Sequence, residues 1–358
     1  MKILIDIGHP SHVHYFRNFI KLMQVKGHEF FITARDKEVA QKLLSAYGID
    51  YTSRGKGKSG VVGKIIYTLK TDIELFKFAK KTNPDILLSC SSAYLAHVSF
   101  LLRKPHICID DTDIAKYEHL MYVPFSDCII SPVGFNKNFS SKHVFIDCTF
   151  DLFYLHPKYF TPNLKIKDEL GIDGSKKSIF IRFTSMSASH DWGKHKITYT
   201  DKLLLINSLK ENYKILISSE DELPDNLNQY KIKLRPEAIH DALYYSNLFI
   251  GESGSMSTEA AILGTPSINL AEAALEVGVF KRLSDCGIYR IITNIDEAIN
   301  ITETMLNEFS YLENFNRSRE IFLKQIINPT DFLVWFIEKY PESKRIMKNN
   351  SNYQYRFK

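Results

Sequence analysis

The stretch Leu248-Phe-Ile-Gly-Glu-Ser-Gly-Ser-Met-Ser-Thr-Glu-Ala-Ala-Ile-Leu-Gly-Thr-Pro-Ser-Ile-Asn-Leu270 decides the fold. Leu248 to Ile250 is a short apolar run closed by Gly251, the pattern of a strand buried on both faces of a parallel sheet. A helix is expected from about Met256, apolar at Ala260, Ala261 and Leu263, and stopped by Gly264 and Pro266. A second strand follows. The turn Glu252-Ser253-Gly254-Ser255 therefore sets backbone N–H groups at a helix N-terminus, at the carboxyl end of a sheet. Such a turn binds anions, of which phosphate is the commonest in biology. Glu259, about one turn into the helix, can accept hydrogen bonds from two ribose hydroxyls. The expectation is a nucleotide-diphosphate site; the competing reading is a Ser/Gly turn with an exposed glutamate.

The pattern repeats on both sides of this stretch. Lys2 to Ile7, Glu29 to Thr33, a short Ile49-Asp50-Tyr51, Asp85 to Ser89, His106 to Ile109, Cys128 to Ile130 and Val144 to Ile146 read as strands, with amphipathic helices between the earlier ones. Such βαβ units need right-handed crossovers and give a parallel sheet. Pro157, Pro162, Gly171 and Gly174 mark a looser segment, after which strands resume at Ser178 to Arg182, Lys214 to Ser218 and Ile288 to Thr293. The fold class expected is α/β, with two Rossmann-like domains facing a central cleft: residues 1–155, residues 156–329, and a terminal helix and basic tail over 330–358. The tail after Pro341 is expected to be disordered.

The 358 residues suffice for two domains. With 44% hydrophobic and 24% charged residues, both domains can bury a core. A formal net charge of +5 does not imply a nucleic-acid partner. No apolar run approaches the roughly 18 residues of a membrane span, and the chain opens directly into a strand, without the pattern of a signal peptide. The five cysteines include no C-x-x-C pair and read as reduced core thiols of a cytoplasmic protein.

Three further clusters bear on chemistry. Gly8-His9-Pro10-Ser11-His12-Val13-His14 places three histidines at the first strand-to-helix turn. There a neutral imidazole can act as general base, with His12 the candidate and His9 and His14 beside the acceptor. Zinc binding and simple capping are the alternatives. Asp110-Asp111-Thr112-Asp113 follows a strand and can orient an acceptor hydroxyl, bind a divalent cation, or cap a helix. Arg182, at the first strand end of the second half, can pair with phosphate, assisted by Ser185. Lys56-Gly57-Lys58-Ser59 lacks the first glycine of a P-loop. The surrounding basic and apolar stretch from Arg54 to Lys70 reads as a solvated loop and amphipathic helix, or as a patch touching a membrane surface.

Ile5-Asp6, Pro10-Ser11-His12-Val13, Asp110-Asp111, Arg182, Ser189-His190-Asp191 and Gly254 through Pro266 together resemble, over essentially the whole chain, a prokaryotic family of predicted glycosyltransferases of GT-B type. In broader outline the chain is similar to the lipid-linked N-acetylglucosaminyltransferase of peptidoglycan synthesis and to non-hydrolysing UDP-N-acetylglucosamine 2-epimerases. His12 falls where the transferase has a histidine after a Gly-Gly pair, here replaced by Pro10-Ser11. The epimerases' Arg-Pro-Glu triplet is absent, and their Ser-Gly-Gly is Ser-Gly-Ser. The resemblance implies an inverting glycosyltransferase with no metal and no cofactor, taking a sugar from a UDP-linked donor to a glycan or lipid-linked acceptor of the cell envelope. It implies a cytoplasmic protein that touches the inner face of the membrane. Ser253, Gly254 and Ser255 would hold the diphosphate with Arg182 and Ser185, and Glu259 the ribose. His12 and Asp111 would be catalytic; Asp110, His9 and His14 would lie on the acceptor side. A UDP-sugar 2-epimerase and a non-catalytic nucleotide-sugar-binding protein are the rival readings.

Overall fold

The protein is described here by a computed structural model covering residues 1–57, 60–184, 197–220 and 222–358. The chain divides into two compact units, Met1–His156 with Ile326–Lys358, and Pro157–Gln325. Both are Rossmann-like α/β units.

The first unit runs β1 (Lys2–Ile7), α1 (Pro10–Val25), β2 (Glu29–Ala34), α2 (Glu38–Ala46), β3 (Thr52–Ser53), α3 (Val61–Thr82), β4 (Ile86–Cys90), α4 (Ala93–Leu102), β5 (His106–Ile109), α5 (Lys116–Tyr122), β6 (Cys128–Pro132), β7 (His143–Ile146) and α6 (Leu152–Leu155). Its seven strands are parallel, in the order β3-β2-β1-β4-β5-β6-β7. The order reverses between β1 and β4, so their following connections leave on opposite sides and open a crevice at their carboxyl ends. Ile3, Leu4, Ile5, Leu87 and Leu88 are fully buried on both faces of this sheet, as their unbroken apolar runs require.

The second unit runs α7 (Leu164–Glu169), β8 (Ser178–Phe183), α8 (Tyr199–Leu209), β9 (Lys214–Ser219), α9 (Ile239–Tyr245), β10 (Leu248–Gly251), α10 (Gly254–Leu263), β11 (Ser267–Asn269), α11 (Gly278–Asp285), β12 (Arg290–Ile291), α12 (Ile295–Asn307) and α13 (Phe309–Gln325). The sheet order is β12-β11-β10-β8-β9, again parallel, and the reversal lies between β8 and β10. Ile179, Ile181, Leu248, Ile250 and Ile268 form its buried centre with Leu205, Leu209 and Met305 from the helices. Gly251 lies at that reversal because a Cβ there would fall 2.6 Å from the Arg182 carbonyl oxygen of the neighbouring strand.

Helices α14 (Pro329–Glu338) and α15 (Glu342–Asn349) belong to the first unit. Glu338 accepts from Lys26 Nζ at 2.7 Å and meets His28 Nε2 at 3.2 Å. The tail expected to be disordered is helical. Tyr355 donates to Asp147 at 2.8 Å and Lys348 to the His143 carbonyl at 3.1 Å, which ties it to the β7 region. The short strand expected at 49–51 lies at Thr52–Ser53, and the one expected at 288–293 shrinks to Arg290–Ile291. Cys90, Cys108, Cys128 and Cys148 are free and buried; Cys286 is half-buried. Among the described residues no helix is long and apolar enough to cross a membrane.

One side chain joins α3, α4 and α5. His97 on α4 sets Nδ1 at 2.9 Å from the Asp72 carboxylate on α3, and Nε2 at 3.0 Å from the Met121 carbonyl of α5. Both partners are acceptors, so the doubly protonated ring satisfies both. The Asp72 hydrogen bond raises the His97 pKa above its ordinary value, although burial opposes it. A raised histidine pKa adds stability that is fully present below the unfolded value of about 6.5 and lost as pH rises through the folded one. Thermal melts of wild type and His97→Gln should therefore differ more at pH 6 than at pH 9; a gap independent of pH would show that the imidazolium contributes nothing.

Candidate functional site

In the second unit the site grows from the β10–α10 turn. Ser253 is the N-cap of α10, extended at φ −88°, and its hydroxyl accepts from the Met256 N–H at 3.4 Å. The helix starts at Gly254, two residues before the expected Met256, so the amides of Gly254 and Ser255 are its first two and have no intrahelical acceptor. Ser257 and Thr258 donate back to the Ser253 and Ser255 carbonyls at 2.9 and 2.8 Å, which fixes the first turn. Ser255 is exposed. Gly254 is required by packing, since a Cβ there would fall 2.6 Å from the Phe280 ring. Phe280 stacks on Tyr289 at 5.4 Å, and the Tyr289 hydroxyl takes the Asn269 amide at 2.6 Å. This Asn269–Tyr289–Phe280 chain beneath the turn carried no signal in the sequence.

Arg182 lies at the end of β8, beside that turn. Its Nη1 donates to Ser218 and its Nη2 to Glu220, both at 2.7 Å, while Nε has no hydrogen-bond partner among the described residues. A phosphate would thus meet a guanidinium already held by a carboxylate. Glu252 Oε2 accepts from the Thr184 N–H at 3.1 Å, fixing the exit of β8. Ser185 and Ser189-His190-Asp191 lie outside the described residues, as do Lys58 and Ser59.

Glu259 is not the exposed carboxylate of the competing reading. It is 5% exposed, and His240 Nε2 on α9, itself 1% exposed, approaches Oε1 at 3.3 Å.

In the first unit the carboxyl end of β1 carries a buried ion pair. Asp6 accepts from Arg54 Nε at 2.8 Å, from Thr33 at 2.9 Å and from Ser92 at 2.6 Å. Arg54 also donates to the Tyr67 hydroxyl at 2.7 Å and lies over the Tyr94 ring. Burial opposes its charge, but Asp6 outweighs that and holds the guanidinium pKa above its ordinary value. Removing one partner of such a pair costs about 3–5 kcal/mol. Arg54 was expected in a solvated or membrane-facing stretch; instead it joins β1, β2 and the N-cap of α4 through Asp6.

The three histidines separate. His9 is exposed and N-caps α1, accepting from the Ser11 N–H at 3.3 Å. His14 turns into the unit, buried against Tyr154 at 5.1 Å between ring centres and 3.4 Å from the Tyr47 hydroxyl. His12 accepts from the Gly8 N–H at Nδ1, 3.3 Å away. Its pKa falls well below the ordinary value, through burial first and then through His9, Lys37 and Arg54. The ring is neutral at pH 7, and the Gly8 contact leaves its proton on Nε2.

His12 stacks on Tyr15 at 6.4 Å, and Tyr15 donates to Asp111 Oδ2 at 3.0 Å. This chain brings His12 and Asp111 together. Asp111, half-buried after β5, has its pKa pushed up from 3.8 to about 6, by burial first and then by Asp110, against hydrogen bonds from Tyr15 and Thr112. Asp110 points elsewhere: it is 1% exposed and takes Tyr122 at 2.5 Å, His119 at 3.0 Å and the Thr112 N–H at 3.0 Å. Its carboxylate holds the loop after β5. Asp113 accepts from the Asn136 N–H at 2.9 Å. Among the described residues no group of three His, Cys, Asp or Glu side chains converges to hold a metal.

The "Uncharacterized protein MJ0665" of Methanocaldococcus jannaschii is 24% identical, over 92% of this chain and 98% of its own. Solved structures of similar fold include UDP-N-acetylglucosamine 2-epimerases, MurG and GT-B glycosyltransferases. The S. aureus MnaA–UDP co-structure is 14% identical with a TM-score of 0.68, covering 96% of this chain and 97% of that one. The Streptomyces sp. SF2575 glycosyltransferase SsfS6 is 12% identical with a TM-score of 0.63, covering 95% and 100%. At these identities the likeness is one of fold, and the fold is GT-B. The match to a family profile over residues 1–340 goes further: the chain belongs to the family described as "Protein of unknown function (DUF354)".

Proposed function

We propose that the protein is a metal-independent glycosyltransferase that moves a sugar from a UDP-linked donor to a hydroxyl of a cell-envelope glycan or lipid-linked acceptor, at the cytoplasmic face of the membrane. The observation that carries the reading is the β10–α10 turn, a helix N-terminus at the strand-order reversal whose first amides lie beside an exposed Ser255. As the leaving diphosphate gains charge, the Gly254 and Ser255 amides and the helix dipole stabilise it without reorganising. Glu259 exchanges His240 for the ribose hydroxyls on binding, a change helped by the long 3.3 Å contact it gives up. Arg182 adds the Nε–H donor of its guanidinium at the edge of the same turn.

The acceptor's proton goes to Asp111. A carboxylate raised to about 6 is ionised at neutral pH yet holds a proton better than an ordinary aspartate. His12 was the expected base, but with Nδ1 facing the Gly8 N–H its other nitrogen is a donor. It serves to bind an oxygen of the substrate. The acceptor oxygen bonds to the anomeric carbon as the bond from that carbon to the diphosphate breaks, which inverts the centre. A UDP-sugar 2-epimerase is the second reading, supported by the epimerases among the fold neighbours. Consumption of UDP-N-acetylglucosamine without an acceptor would select it, and nucleotide binding with no turnover would select a non-catalytic role.

Two variants test the assignments. Ser255→Asp adds a negative charge that suits a helix N-terminus but repels a diphosphate. Its UDP affinity by calorimetry should fall at least about tenfold, near 1.4 kcal/mol, with no loss of thermal stability; unchanged affinity would remove the turn from the site. Asp111→Asn should lose turnover and keep UDP affinity. It should also melt higher than wild type above pH 6, because an ionised carboxylate with a raised pKa costs the folded state up to roughly 3 kcal/mol. That gain should shrink as pH falls below 6 and vanish by about pH 3, below both pKa values, where the carboxyl is protonated in both states; a gain that persists there, or none at pH 8, would contradict the strained carboxylate.

A further inference from the structure

The His97 junction in the first unit is surrounded by large apolar side chains in water. Within about one helical turn of Asp72, His97 and Met121, the three points His97 holds together, stand Leu69 (60% exposed), Ile73 (56%), Phe100 (62%), Tyr117 (76%) and Leu120 (73%), with Ile66 (50%) a turn further along α3. On α3 the exposed positions Ile66, Leu69, Lys70, Ile73, Lys77 and Lys80 recur at helical spacing along one face, with that face's apolar residues towards the N-terminus and its lysines mainly towards the C-terminus. A soluble helix normally buries such residues, and scattered singly they need no explanation; three adjoining helices sharing them around one point do.

The charges nearby say what covers the face. Among the described side chains of α3 to α5 and their caps, the exposed cations are Lys70, Lys77, Lys80, Lys81, Arg103 and Lys116, and the exposed acid is Glu74, paired with Lys70 at 3.5 Å. A second copy of the same face would bring lysines against lysines. An anionic bilayer surface meets both features, taking apolar side chains into the headgroup boundary and drawing lysines to its charge.

We propose that the α3–α4–α5 face docks the first unit on an anionic membrane surface, through the side chains around His97. The face belongs to the unit that carries Asp111, and α5 begins five residues after it. An enzyme docked this way meets an acceptor anchored in the bilayer beside its base. That last step rests on the proposed transfer; the docking does not.

The test is co-sedimentation of the full chain with phosphatidylcholine vesicles, with and without phosphatidylglycerol. Wild type should pellet with the anionic vesicles only. The triple variant Leu69→Ser, Ile73→Ser, Leu120→Ser should bind at least about tenfold more weakly, since interfacial binding scales with the apolar area inserted. Lys77→Glu with Lys80→Glu should likewise weaken pelleting with the phosphatidylglycerol vesicles, at least about tenfold. UDP affinity measured on the same variants should not change, which separates failure of docking from failure of the nucleotide site. Wild type remaining in the supernatant with anionic vesicles would overturn the proposal. So would equal pelleting of the triple variant, or a wild-type dimer in sedimentation velocity that the triple variant abolishes.

Discussion

A parallel sheet whose strand order reverses must send the connections of two neighbouring strands to opposite faces, leaving their carboxyl ends uncovered. That constraint operates twice in this chain, at β1 beside β4 and at β8 beside β10. The residues drawn into the argument sit mainly at or next to these two edges. At the second, close approach of the strands demands Gly251, and close approach of Phe280 demands Gly254. The helix can then begin within three residues of the strand, with its first amides at the edge of the sheet. The geometry that permits an anion to bind thus follows from how tightly β8, β10 and α11 pack.

Electrostatics divides the first edge into settled and unsettled charge. Asp6 is surrounded by Arg54, Thr33 and Ser92, and Asp110 by Tyr122, His119 and a backbone amide; both are buried and fully engaged. Asp111 stands next to Asp110 with hydrogen bonds from Tyr15 and Thr112 that do not offset its burial, and its pKa rises. A site that keeps one carboxylate under strain beside others fully satisfied has the asymmetry that proton transfer uses. His12, held neutral by burial and neighbouring cations, completes the edge without adding charge.

How far the sequence speaks for this can be followed residue by residue. The strands and the long helices follow from apolar runs and from Gly and Pro punctuation, and the β10–α10 turn was legible because Leu248 to Ile250 and the Gly264–Pro266 stop bracket it. The tail was misread because Lys344, Arg345 and Lys348 look solvated in sequence, whereas Ser343 and Met347 on the same helix are buried. Asp110 and Asp111 are indistinguishable in sequence; one faces Tyr122 and His119, the other Tyr15, and only the packed loop separates them. His14 likewise differs from His12 by two residues, which on a helix turns it to the other side and into the core. Arg54 gave no hint of its partner because Asp6 is 48 residues away.

The central claim is that the amides opening α10 hold the diphosphate of a nucleotide. The most direct measurement is a crystal structure of the protein grown with UDP. Phosphate oxygens should lie within hydrogen-bond distance of the Gly254 and Ser255 nitrogens, with the ribose hydroxyls on the Glu259 carboxylate in place of His240. UDP bound elsewhere, or a turn that stays empty at saturating nucleotide, would contradict the account while leaving the GT-B fold intact.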